Sequence, residues 1–460
     1  MIKRTLKQIE NMIQIENDLS AFREVSIKGV SIDSRKIEQG QLFVPFKGEN
    51  IDGHKFVEDA IQKGAAAAFW QKDVPNPPLH LPILMVEDCL VALQELSRSY
   101  RKQLEVRTVG ITGSNGKTTT KDMITNLLSL QFKVQKTEGN YNNHIGLPLT
   151  ILSLEEDTEI AVLEMGMSGR GEIEFLTKLA EPEAVIITNI GEAHLQDLGS
   201  REAIAEAKLE IIEGLKENGL IVYHGDEPLL KEPLKNLTRK ATTQTFGQGE
   251  ENDLYPVQVK QTDIGSTFTT NMMSAEFHLP VLGIHNVLNA LGSMLIARYF
   301  GVAFEKVNEG FSTLKLTNMR MELLEGAAGE RIINDAYNAS PTSMRAAINL
   351  VTELAGFEKK ILVLADMLEL GPEENKFHLE VGENLDSSKI DYIFTYGKLG
   401  QFIAEGAKKV FPENRVFSFT NKEELSESLK PHITQSTLIL VKGSRGMKLE
   451  DVVHDLQQSR

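Results

Sequence analysis

Val109-Gly110-Ile111-Thr112-Gly113-Ser114-Asn115-Gly116-Lys117-Thr118-Thr119 runs from a short apolar segment through a glycine-rich turn into a helix-like segment. Such a passage predicts a phosphate-binding loop, because Gly113 and Gly116 let backbone N–H groups close around a polyphosphate. Lys117 would neutralise the terminal phosphates, and the Thr118 hydroxyl would reach a magnesium ion. The strict form of this motif has a further glycine about two residues before Gly113, so the loop is a variant. We expect the chain to bind ATP.

The composition excludes several classes of protein. The 460 residues exceed what one hydrophobic core usually serves, and an apolar fraction of 41% is ample for several cores. Acidic residues outnumber basic ones by 65 to 49, which gives a net charge of −16 and argues against a nucleic-acid partner or an anionic membrane surface. Cys89 is the only cysteine, so an intrachain disulfide and a multi-cysteine metal site are excluded.

The start of the chain carries no sign of a targeting segment. Residues 1–4 lead into a polar amphipathic stretch rather than into the apolar region of a signal peptide. No apolar run approaches the roughly 20 residues that a membrane span needs. We therefore expect a cytoplasmic protein without membrane insertion.

Changes in pattern divide the chain into three blocks. Residues 1–106 mix short strands with helices, which predicts a small mixed α/β domain. Residues 107–317 alternate apolar strands with helices, which is typical of a mostly parallel sheet, and add an antiparallel excursion at about 253–281. Residues 318–460 alternate again and predict a Rossmann-like domain, so the predicted fold class is α/β with three domains. The strands expected in the last two blocks are 108–112, 160–163, 185–188, 220–223, 361–365, 392–395 and 438–441.

Polar residues that follow the predicted strands are candidate ligands, because open parallel sheets bind ligands at the carboxyl ends of their strands. Glu164 follows the strand at 160–163 and is typical of a magnesium ligand. His194 closes a polar turn after the strand at 185–188, and on spacing alone a structural and a functional role both stay open. Lys208 lies on a helix-like run, where a lysine by itself is most simply a solvated charge.

Amide side chains form a second group of candidates. The loop 139–150 carries three asparagines between glycines, which suits either a plain turn or a site for a sugar or phosphate. Asn286 and Asn289 stand at positions i and i+3, so they share one face of a helix. Arg320 and Asp335 follow near the start of the third block.

In their order and spacing, these segments resemble the Mur ligase family of ATP-dependent amino-acid ligases over essentially the whole chain. The family's loop, T-G-x-N-G-K-T-[ST], stands at 112–119, which accounts for the missing strict glycine. The other motifs that carry the resemblance are Asp33-Ser34-Arg35, Asp52-Gly53-His54, residues 139–150, Glu164-Met165-Gly166-Met167, residues 188–195, Asp335-Ala336-Tyr337-Asn338-Ala339-Ser340-Pro341, Asp366-Met367-Leu368-Glu369-Leu370-Gly371 and Lys442-Gly443-Ser444-Arg445-Gly446.

The resemblance implies a reaction in which ATP phosphorylates a carboxylate and an amine attacks the resulting acyl phosphate. The carboxylate would end a UDP-N-acetylmuramoyl-tripeptide and the amine would belong to D-alanyl-D-alanine, which gives UDP-N-acetylmuramoyl-pentapeptide, ADP and phosphate. Lysine and diaminopimelate both stay open at residue three of the peptide. The reaction belongs to peptidoglycan precursor synthesis, on which cell shape and division depend, and we expect a monomer to perform it.

The resemblance also implies a role for each candidate residue. The catalytic residues would be Lys117, His194 and Lys208, the last after reacting with carbon dioxide to form a carbamate. The residues expected to hold a pair of magnesium ions are Thr118, Glu164, His194 and carbamylated Lys208. The residues expected to bind ATP are Gly113, Ser114, Asn115, Gly116, Lys117, Thr118, Thr119, Asn286, Asn289, Arg320 and Asp335. The residues expected to bind the other substrates are Ser34, Arg35, Asn140, Asn142, Asn143, Ser444 and Arg445.

Two other functions stay open on the sequence. A sister ligase of the same family would add a different amino acid or glutamate, and the loop 140–150 together with the first domain would decide between them. A nucleotide-gated switch protein would instead hydrolyse ATP to move domains without joining substrates. Because the expected ATP-site residues come from the second and third blocks, we expect the third domain to close over ATP. An open form should be well populated without ligands.

Overall fold

A computed structural model of the protein describes residues 1–49, 51–262 and 264–458. The first part of the chain forms an antiparallel pair, β1 with β2, and a parallel four-stranded sheet in the order β3-β4-β5-β6. Its strands are β1 (Lys3–Thr5), β2 (Ser26–Lys28), β3 (Val30–Ser31), β4 (Leu42–Phe43), β5 (Ala67–Gln71) and β6 (Ile83–Val86). Its helices are α1 (Leu6–Ile9), α2 (Val57–Gln62) and α3 (Cys89–Gln103).

The central part is a six-stranded sheet in which all strands are parallel, in the order β12-β11-β10-β7-β9-β8. Its strands are β7 (Arg107–Thr112), β8 (Val134–Lys136), β9 (Ile160–Glu164), β10 (Ala184–Ile187), β11 (Leu220–His224) and β12 (Thr242–Phe246). Its helices are α4 (Lys117–Leu128), α5 (Gly146–Ser153), α6 (Glu172–Ala180), α7 (Leu195–Leu198), α8 (Arg201–Leu209) and α9 (Pro228–Lys235). Because β7 lies between β9 and β10, the loop after β7 meets the ends of both neighbours.

The expected antiparallel excursion is confirmed as a three-stranded sheet, which is followed by two helices. Its strands are β13 (Pro256–Gln261), β14 (Ser266–Thr270) and β15 (Met273–Leu279). The helices are α10 (Ile284–Tyr299) and α11 (Val307–Ser312). Helix α10 is buried along most of its length, which agrees with its largely apolar sequence.

The last part is a second six-stranded sheet in the order β16-β17-β21-β18-β19-β20, parallel except for the edge strand β16. Its strands are β16 (Glu322–Glu325), β17 (Arg331–Asp335), β18 (Lys359–Ala365), β19 (Tyr392–Tyr396), β20 (Val416–Phe419) and β21 (Thr437–Lys442). Its helices are α12 (Pro341–Glu353), α13 (Glu374–Glu383), α14 (Gly400–Ala407), α15 (Lys422–Leu429) and α16 (Glu450–Gln458).

Both large sheets are covered on both faces, as parallel sheets require. On β18, Leu362 and Leu364 join one apolar core with helices α12 to α14, whereas Ile361 and Val363 join another with helices α15 and α16. This alternation explains why the strands read as continuous apolar runs. The strands expected from the sequence are confirmed with ends that differ by up to two residues.

Each of the five sheets of the described residues lies wholly within one of the expected blocks 1–106, 107–317 and 318–460, and those domain limits stay predictions. One apolar core contains side chains from both the central sheet and the last sheet, and another joins the first part to the central sheet. None of the helices in the described ranges is long and apolar enough to cross a bilayer.

Candidate active site

A cavity of about 500 Å³ lies between the central sheet and the last sheet. The sequence-predicted residues that line it are Ser114, Asn115, Gly116, Lys117, Thr118, Thr119, Asn142, Asn143, Glu164, His194, Asn286, Asn289, Arg320 and Asp335. These residues come from segments up to about 220 positions apart, so the fold brings together what the sequence separates. The predicted residues outside this lining are Gly113, Lys208, Ser34, Arg35, Asn140, Ser444 and Arg445.

The phosphate loop joins β7 to α4 and needs both of its glycines. Gly113 has a φ of +149°, and a Cβ there would lie 1.8 Å from Thr188 Oγ1. Gly116 has a φ of +80°, and a Cβ there would lie 2.8 Å from Asn289 Oδ1. A side chain at either position would push the loop away from the neighbouring strand end or from helix α10.

Residues at the end of β10 hold the loop backbone. Thr188 Oγ1 donates a hydrogen bond to the carbonyl of Asn115 at 2.6 Å, and the Asn115 N–H donates to Asn189 Oδ1 at 2.9 Å. The Ser114 N–H donates to the Asn189 carbonyl at 3.0 Å. Lys117 Nζ folds over the loop and donates to the carbonyl of its first glycine at 2.8 Å. Burial lowers the pKa of Lys117. An anion such as a phosphate would stabilise its charged form.

Glu164 lies at the end of β9, directly beside the start of α4. Thr118 Oγ1 donates to Glu164 Oε2 at 2.9 Å, and Asn142 Nδ2 donates to Glu164 Oε1 at 2.9 Å. Lys121 Nζ approaches Glu164 Oε2 to 4.0 Å, and both side chains are buried. The carboxylate is therefore fixed in position while it faces the cavity.

The oxygens of Thr118 and Glu164 fit a magnesium ion, because this cation prefers hydroxyl, carboxylate, phosphate and water oxygens. They already lie 2.9 Å apart, so one ion could replace the hydrogen bond between them. Among the described residues, no group of three or more His, Cys, Asp or Glu side chains could hold a metal. A metal in this cavity would therefore need ligands from the nucleotide, water or a modified side chain.

Burial lowers the pKa of both Lys208 and His194. Lys208 is 2% exposed, and its Nζ has neither a hydrogen bond nor an ion pair within the described residues. Burial, with the nearby Lys117 ammonium, lowers the pKa of Lys208 well below its usual range. Burial, followed by Lys117 and Lys208, lowers the pKa of His194 to about 4. The His194 ring is thus uncharged near neutral pH. The lowered pKa of Lys208 favours its neutral amine, which is the form that reacts with carbon dioxide.

Asn286 and Asn289 lie in the first turns of α10 and face the phosphate loop, as their spacing predicts. Asn286 Nδ2 donates to the carbonyl of Leu282 at 2.8 Å, and Asn289 Nδ2 donates to Asn286 Oδ1 at 3.3 Å. Both amides are buried. Their remaining donors and acceptors are available to a ligand in the cavity.

Arg320 lies on the segment that links α11 to β16 and is held in a strained backbone. Met319 and Met321 on either side of it have φ values of 61° and 53°, which non-glycine residues rarely adopt. The Arg320 guanidinium lies 4.0 Å from the centre of the Tyr337 ring, which stabilises the cation. Its buried Nε has no partner within the described residues, so this donor is free for an anionic ligand.

Asp335 and Lys442 end neighbouring strands, β17 and β21, in matching register. Asp335 Oδ2 lies 2.5 Å from Lys442 Nζ, and Asp335 Oδ1 accepts a hydrogen bond from the Met321 N–H at 3.2 Å. Lys442 also donates to the carbonyl of Asn338 at 3.1 Å. The carboxylate is therefore oriented by a buried cation and by the linker.

Direct polar contacts cross the cleft between the two large sheets. Glu192 accepts hydrogen bonds from the Thr342 N–H at 3.2 Å and from Thr342 Oγ1 at 3.0 Å, at the first turn of α12. Asn115 Nδ2 lies 3.4 Å from Ser340 Oγ. Protein side chains therefore bridge this interface directly, and the closure of the third domain over ATP stays a prediction.

Ser34 and Arg35 lie in the first part of the chain, away from the cavity. Arg35 pairs with Asp33 at 2.9 Å while its side chain is 84% exposed. Hydrogen bonds from Arg35 lower the pKa of Asp33 to about 2. Asn143 Oδ1 accepts from the N–H groups at the start of α5, so this amide is partly used in capping a helix. The expected roles of Ser34, Arg35 and Asn143 in substrate binding stay predictions.

Ser444 and Arg445 are engaged in contacts within the last sheet. Ser444 is buried, and its Oγ accepts a hydrogen bond from the Leu368 N–H at 2.9 Å. Arg445 pairs with Glu450 at 2.7 Å and lies 3.2 Å from Met319 Sδ. Their roles in binding the incoming dipeptide also stay predictions.

Several residues that line the cavity were given no role from the sequence, although three of them stand in motifs that carry the family resemblance: Glu172, His285, Tyr337, Asn338, Thr342 and Lys442. Lys442 carries the clearest missed signal, because it is a lysine that directly ends a buried apolar strand. His285 precedes the two predicted amides on α10, and burial lowers its pKa to about 4.

A glycine-rich phosphate loop that faces a second α/β sheet across a cavity defines a nucleotide-binding α/β protein. Three family models match the chain. The Mur ligase middle domain matches residues 111–297, the Mur ligase, glutamate ligase domain matches residues 319–445, and the Mur ligase family, catalytic domain matches residues 26–101. The chain belongs to the Mur ligase family.

Individual relatives are similar over the whole chain. The sequence is 53% identical over 459 residues to the UDP-N-acetylmuramoyl-tripeptide–D-alanyl-D-alanine ligase of Bacillus subtilis (strain 168), covering 100% of this chain and 99% of the relative. The crystal structure of MurF from Acinetobacter baumannii superposes with a TM-score of 0.90 at 29% identity, covering 100% of each chain. MurF ligase from Thermotoga maritima in complex with ADP gives a TM-score of 0.82 at 30% identity, covering 94% of this chain and 97% of the other. The family and the three-domain α/β fold class expected from the sequence are confirmed.

Proposed function

We propose that this chain is an ATP-dependent ligase that joins D-alanyl-D-alanine to the terminal carboxylate of UDP-N-acetylmuramoyl-tripeptide. The products would be UDP-N-acetylmuramoyl-pentapeptide, ADP and phosphate, in the cytoplasmic synthesis of peptidoglycan precursors that cell shape and division require. The observation that carries the proposal is the cavity in which the phosphate loop and Glu164 face Arg320 and Asp335 across the cleft. The 53% identity to a relative of that name over the whole chain selects the substrates.

The reaction needs an activated carboxylate, because hydroxide is a poor leaving group from a carboxylic acid. The carboxylate oxygen of the tripeptide would attack the γ-phosphorus of ATP, and ADP would leave. The amine nitrogen of D-alanyl-D-alanine would then attack the acyl carbon, lose a proton and expel phosphate. Lys117, with Ser114, Asn115 and Thr119 of the same loop, would hold the phosphates and stabilise the charge that develops during transfer.

Thr118 and Glu164 would hold one magnesium ion, and His194 with carbamylated Lys208 would help to hold a second. Magnesium there would neutralise charge on the transferred phosphoryl oxygens. The carbamate would form when the neutral Lys208 amine attacks carbon dioxide and loses a proton. The burial of Lys208, the lowered pKa of its amine and the lack of a partner for Nζ within the described residues support this proposal, since a carbamate would turn an unsatisfied amine into an anionic oxygen ligand.

The nucleotide would extend from the phosphate loop toward α10 and the last sheet. Asn286 and Asn289 would contact the adenine side, because their side-chain amides line the cavity beside Gly116. Arg320 would face the phosphates through its unpartnered Nε. Asp335 would accept hydrogen bonds from the ribose hydroxyls, in an orientation that Lys442 fixes.

The remaining substrates would be divided among the three proposed domains, 1–106, 107–317 and 318–460. Residues Ser34 and Arg35 of the first would bind the UDP end, and the asparagines at 140, 142 and 143 of the second would face the muramoyl-peptide. The third, with Ser444 and Arg445, would bring in the dipeptide and close over ATP. Closure has a chemical reason, since an acyl phosphate exposed to water would hydrolyse. We propose that a monomer carries out all of these steps.

One assay tests the proposed function. ADP release is measured with ATP, magnesium and UDP-N-acetylmuramoyl-tripeptide, with and without D-alanyl-D-alanine, and with glycine, D-glutamate or lysine in its place. We expect release that depends on D-alanyl-D-alanine and a product heavier by the dipeptide residue mass. Release that requires another amine would indicate a sister ligase, and release that needs no amine would indicate a nucleotide-driven switch.

A further inference from the structure

The loop 366–371, which follows β18, is held firmly within the last sheet. Asp366 Oδ1 accepts hydrogen bonds from the N–H groups of Leu399 at 3.0 Å and Gly400 at 2.7 Å. The N–H of Met367 donates to His378 Nε2 at 2.8 Å. The next N–H donates to Ser444 Oγ, as described above. The position of the following residue, Glu369, is therefore set by the frame of the last sheet.

Glu369 points across the cleft at His194 of the central part. Its Oε2 lies 3.2 Å from His194 Nδ1, and its carbonyl accepts a hydrogen bond from the Gln196 N–H at 3.2 Å. Both Glu369 and His194 have left-handed backbones, with φ values of 65° and 67°. Non-glycine residues rarely adopt this conformation, and here two of them face each other beside a candidate catalytic site.

The two ring nitrogens of His194 have different surroundings. Nδ1 is buried and has no aligned hydrogen bond within the described residues, while the ring lines the cavity. The nearest carboxylate on its own part of the chain, Asp197, is 4.0 Å from Nδ1, farther than Glu369. The Glu369 carboxylate makes no other hydrogen bond or ion pair within the described ranges and its side chain is 61% exposed, so a small rotation can align it with Nδ1.

We propose that Glu369 is a positioning residue for His194. Its carboxylate accepts a hydrogen bond from the Nδ1–H of the neutral imidazole, which fixes the tautomer and leaves Nε2 unprotonated and able to bind a metal. A histidine that binds a metal usually donates its other ring N–H to a carboxylate in this way. Because Glu369 and His194 lie on different sheets, the pair forms only when the last sheet is docked on the central one. The inference rests on the proposed function insofar as His194 is taken to bind magnesium.

In this arrangement the loop 366–371 places Glu369 against His194, in addition to its contacts within the last sheet. Ser444 and His378 hold the loop, the loop carries Glu369, and Glu369 orients His194, so docking of the last sheet would complete a metal site on the central sheet. If Glu369 only held the two sheets together, its removal would have the same effect on docking with or without the His194 side chain. The two roles therefore differ in their dependence on His194.

The test measures metal binding without turnover. Manganese(II) is titrated into the full-length protein with a non-hydrolysable ATP analogue, and free manganese is followed by electron paramagnetic resonance. The variants are Glu369→Ala, Glu369→Gln, His194→Ala and the Glu369→Ala/His194→Ala double variant. Glu373→Gln is the matched control, because Glu373 is an exposed carboxylate near the same loop, paired with Lys376. Thermal melting checks that each variant is folded.

We expect Glu369→Ala to weaken manganese binding by about 10-fold or more, in the range usual for a group that orients a metal ligand. Glu369→Gln should lose less, because its amide oxygen still accepts from Nδ1, and Glu373→Gln should match the unsubstituted protein. In the His194→Ala background, Glu369→Ala should add no further loss. Unchanged binding in Glu369→Ala, or the same loss in both backgrounds, would overturn the inference. Neither result depends on D-alanyl-D-alanine, so failure of the proposed ligase reaction would be recognised separately.

Discussion

The phosphate-loop side of the cavity, residues 113–119 with Glu164, and the linker side, residues 319–321 with Asp335, are both held by hydrogen bonds, but the linker side also carries strained non-glycine backbone. On the phosphate-loop side, Thr188 and Asn189 satisfy the loop backbone. On the linker side, two left-handed methionines flank an arginine whose buried Nε has no partner within the described residues. Each such backbone costs about 1–3 kcal/mol and persists only when its surroundings impose it.

This contrast separates two tasks of the site. Groups that stabilise charge in a transition state work best when they are already in place, since no reorganisation is then needed during the reaction. Groups that admit substrate and exclude water must move, and strained segments with free donors suit such elements. We therefore propose that the phosphate-loop side supplies the chemistry and that the linker side supplies closure. Variants on the two sides should fail in different ways.

The largest effect is expected on the phosphate-loop side. Lys117→Ala removes the ammonium that folds over the loop, while the loop itself keeps its hydrogen bonds to β10. ADP release in the complete assay should fall by at least about a hundredfold, as for other preorganised electrostatic groups. Lys306→Ala, which removes an exposed lysine paired only with Glu309, is the matched control. Near-normal turnover of Lys117→Ala would withdraw the ATP-site assignment.

Lys208→Ala tests whether the same side holds a carbamate. Loss of the proposed ligand should lower kcat by about 10- to 100-fold, the range found when metal sites are perturbed. Added formate or acetate should restore part of the activity, because a small carboxylate can occupy the vacated place as an oxygen ligand. Lys208→Arg keeps a cation but cannot form the carbamate, and it should stay inactive without rescue. Full activity of Lys208→Ala, or an unmodified Lys208 amine in a well-resolved complex with magnesium and nucleotide, would contradict this role.

The phosphate-loop side was predictable because each of its functional residues belongs to a short, recognisable stretch of sequence. The turn at 113–116 and the strand-end Glu164 each follow from a local pattern, and the parallel sheet brings them together. The linker side was less predictable. Lys442 meets Asp335 across 107 positions only because β21 inserts between β17 and β18, which no local pattern indicates. The Glu369 contact to His194 likewise depends on how two sheets dock.

A smaller effect is expected on the linker side from Asp335→Asn. The amide can still accept a hydrogen bond from ribose, but Lys442 loses its anionic partner and the geometry of the pair. The KM for ATP should rise by about tenfold, since a hydrogen bond to a charged group contributes about 1.5–3 kcal/mol, while kcat changes less. The melting temperature should also fall, because a buried cation without its partner is costly.

The effects of Asp335→Asn on the KM for ATP and on stability can be separated. Asp335→Asn/Lys442→Met removes both charges, so it should recover stability while the KM for ATP stays high. Asp386→Asn, an exposed aspartate of the same sheet that caps a local turn, should leave KM unchanged. Recovery of KM in the double variant would mean that Asp335 acts through folding rather than through contact with the nucleotide.

The smallest effect is expected at the interface between the two sides, where small-angle scattering can follow closure. The radius of gyration should decrease when a non-hydrolysable ATP analogue and the UDP-linked substrate bind, because Arg320 and Asp335 would then contact the nucleotide. Glu192→Ala removes the contacts to Thr342, which contribute about 0.5–1.5 kcal/mol per hydrogen bond, and should enlarge the ligand-free form only. Glu217→Ala, an exposed glutamate of the central part, should change neither state. If no protein becomes more compact with ligand, the site is preassembled or not shared between the two sheets. The nucleotide role of Asp335 would then have to be withdrawn.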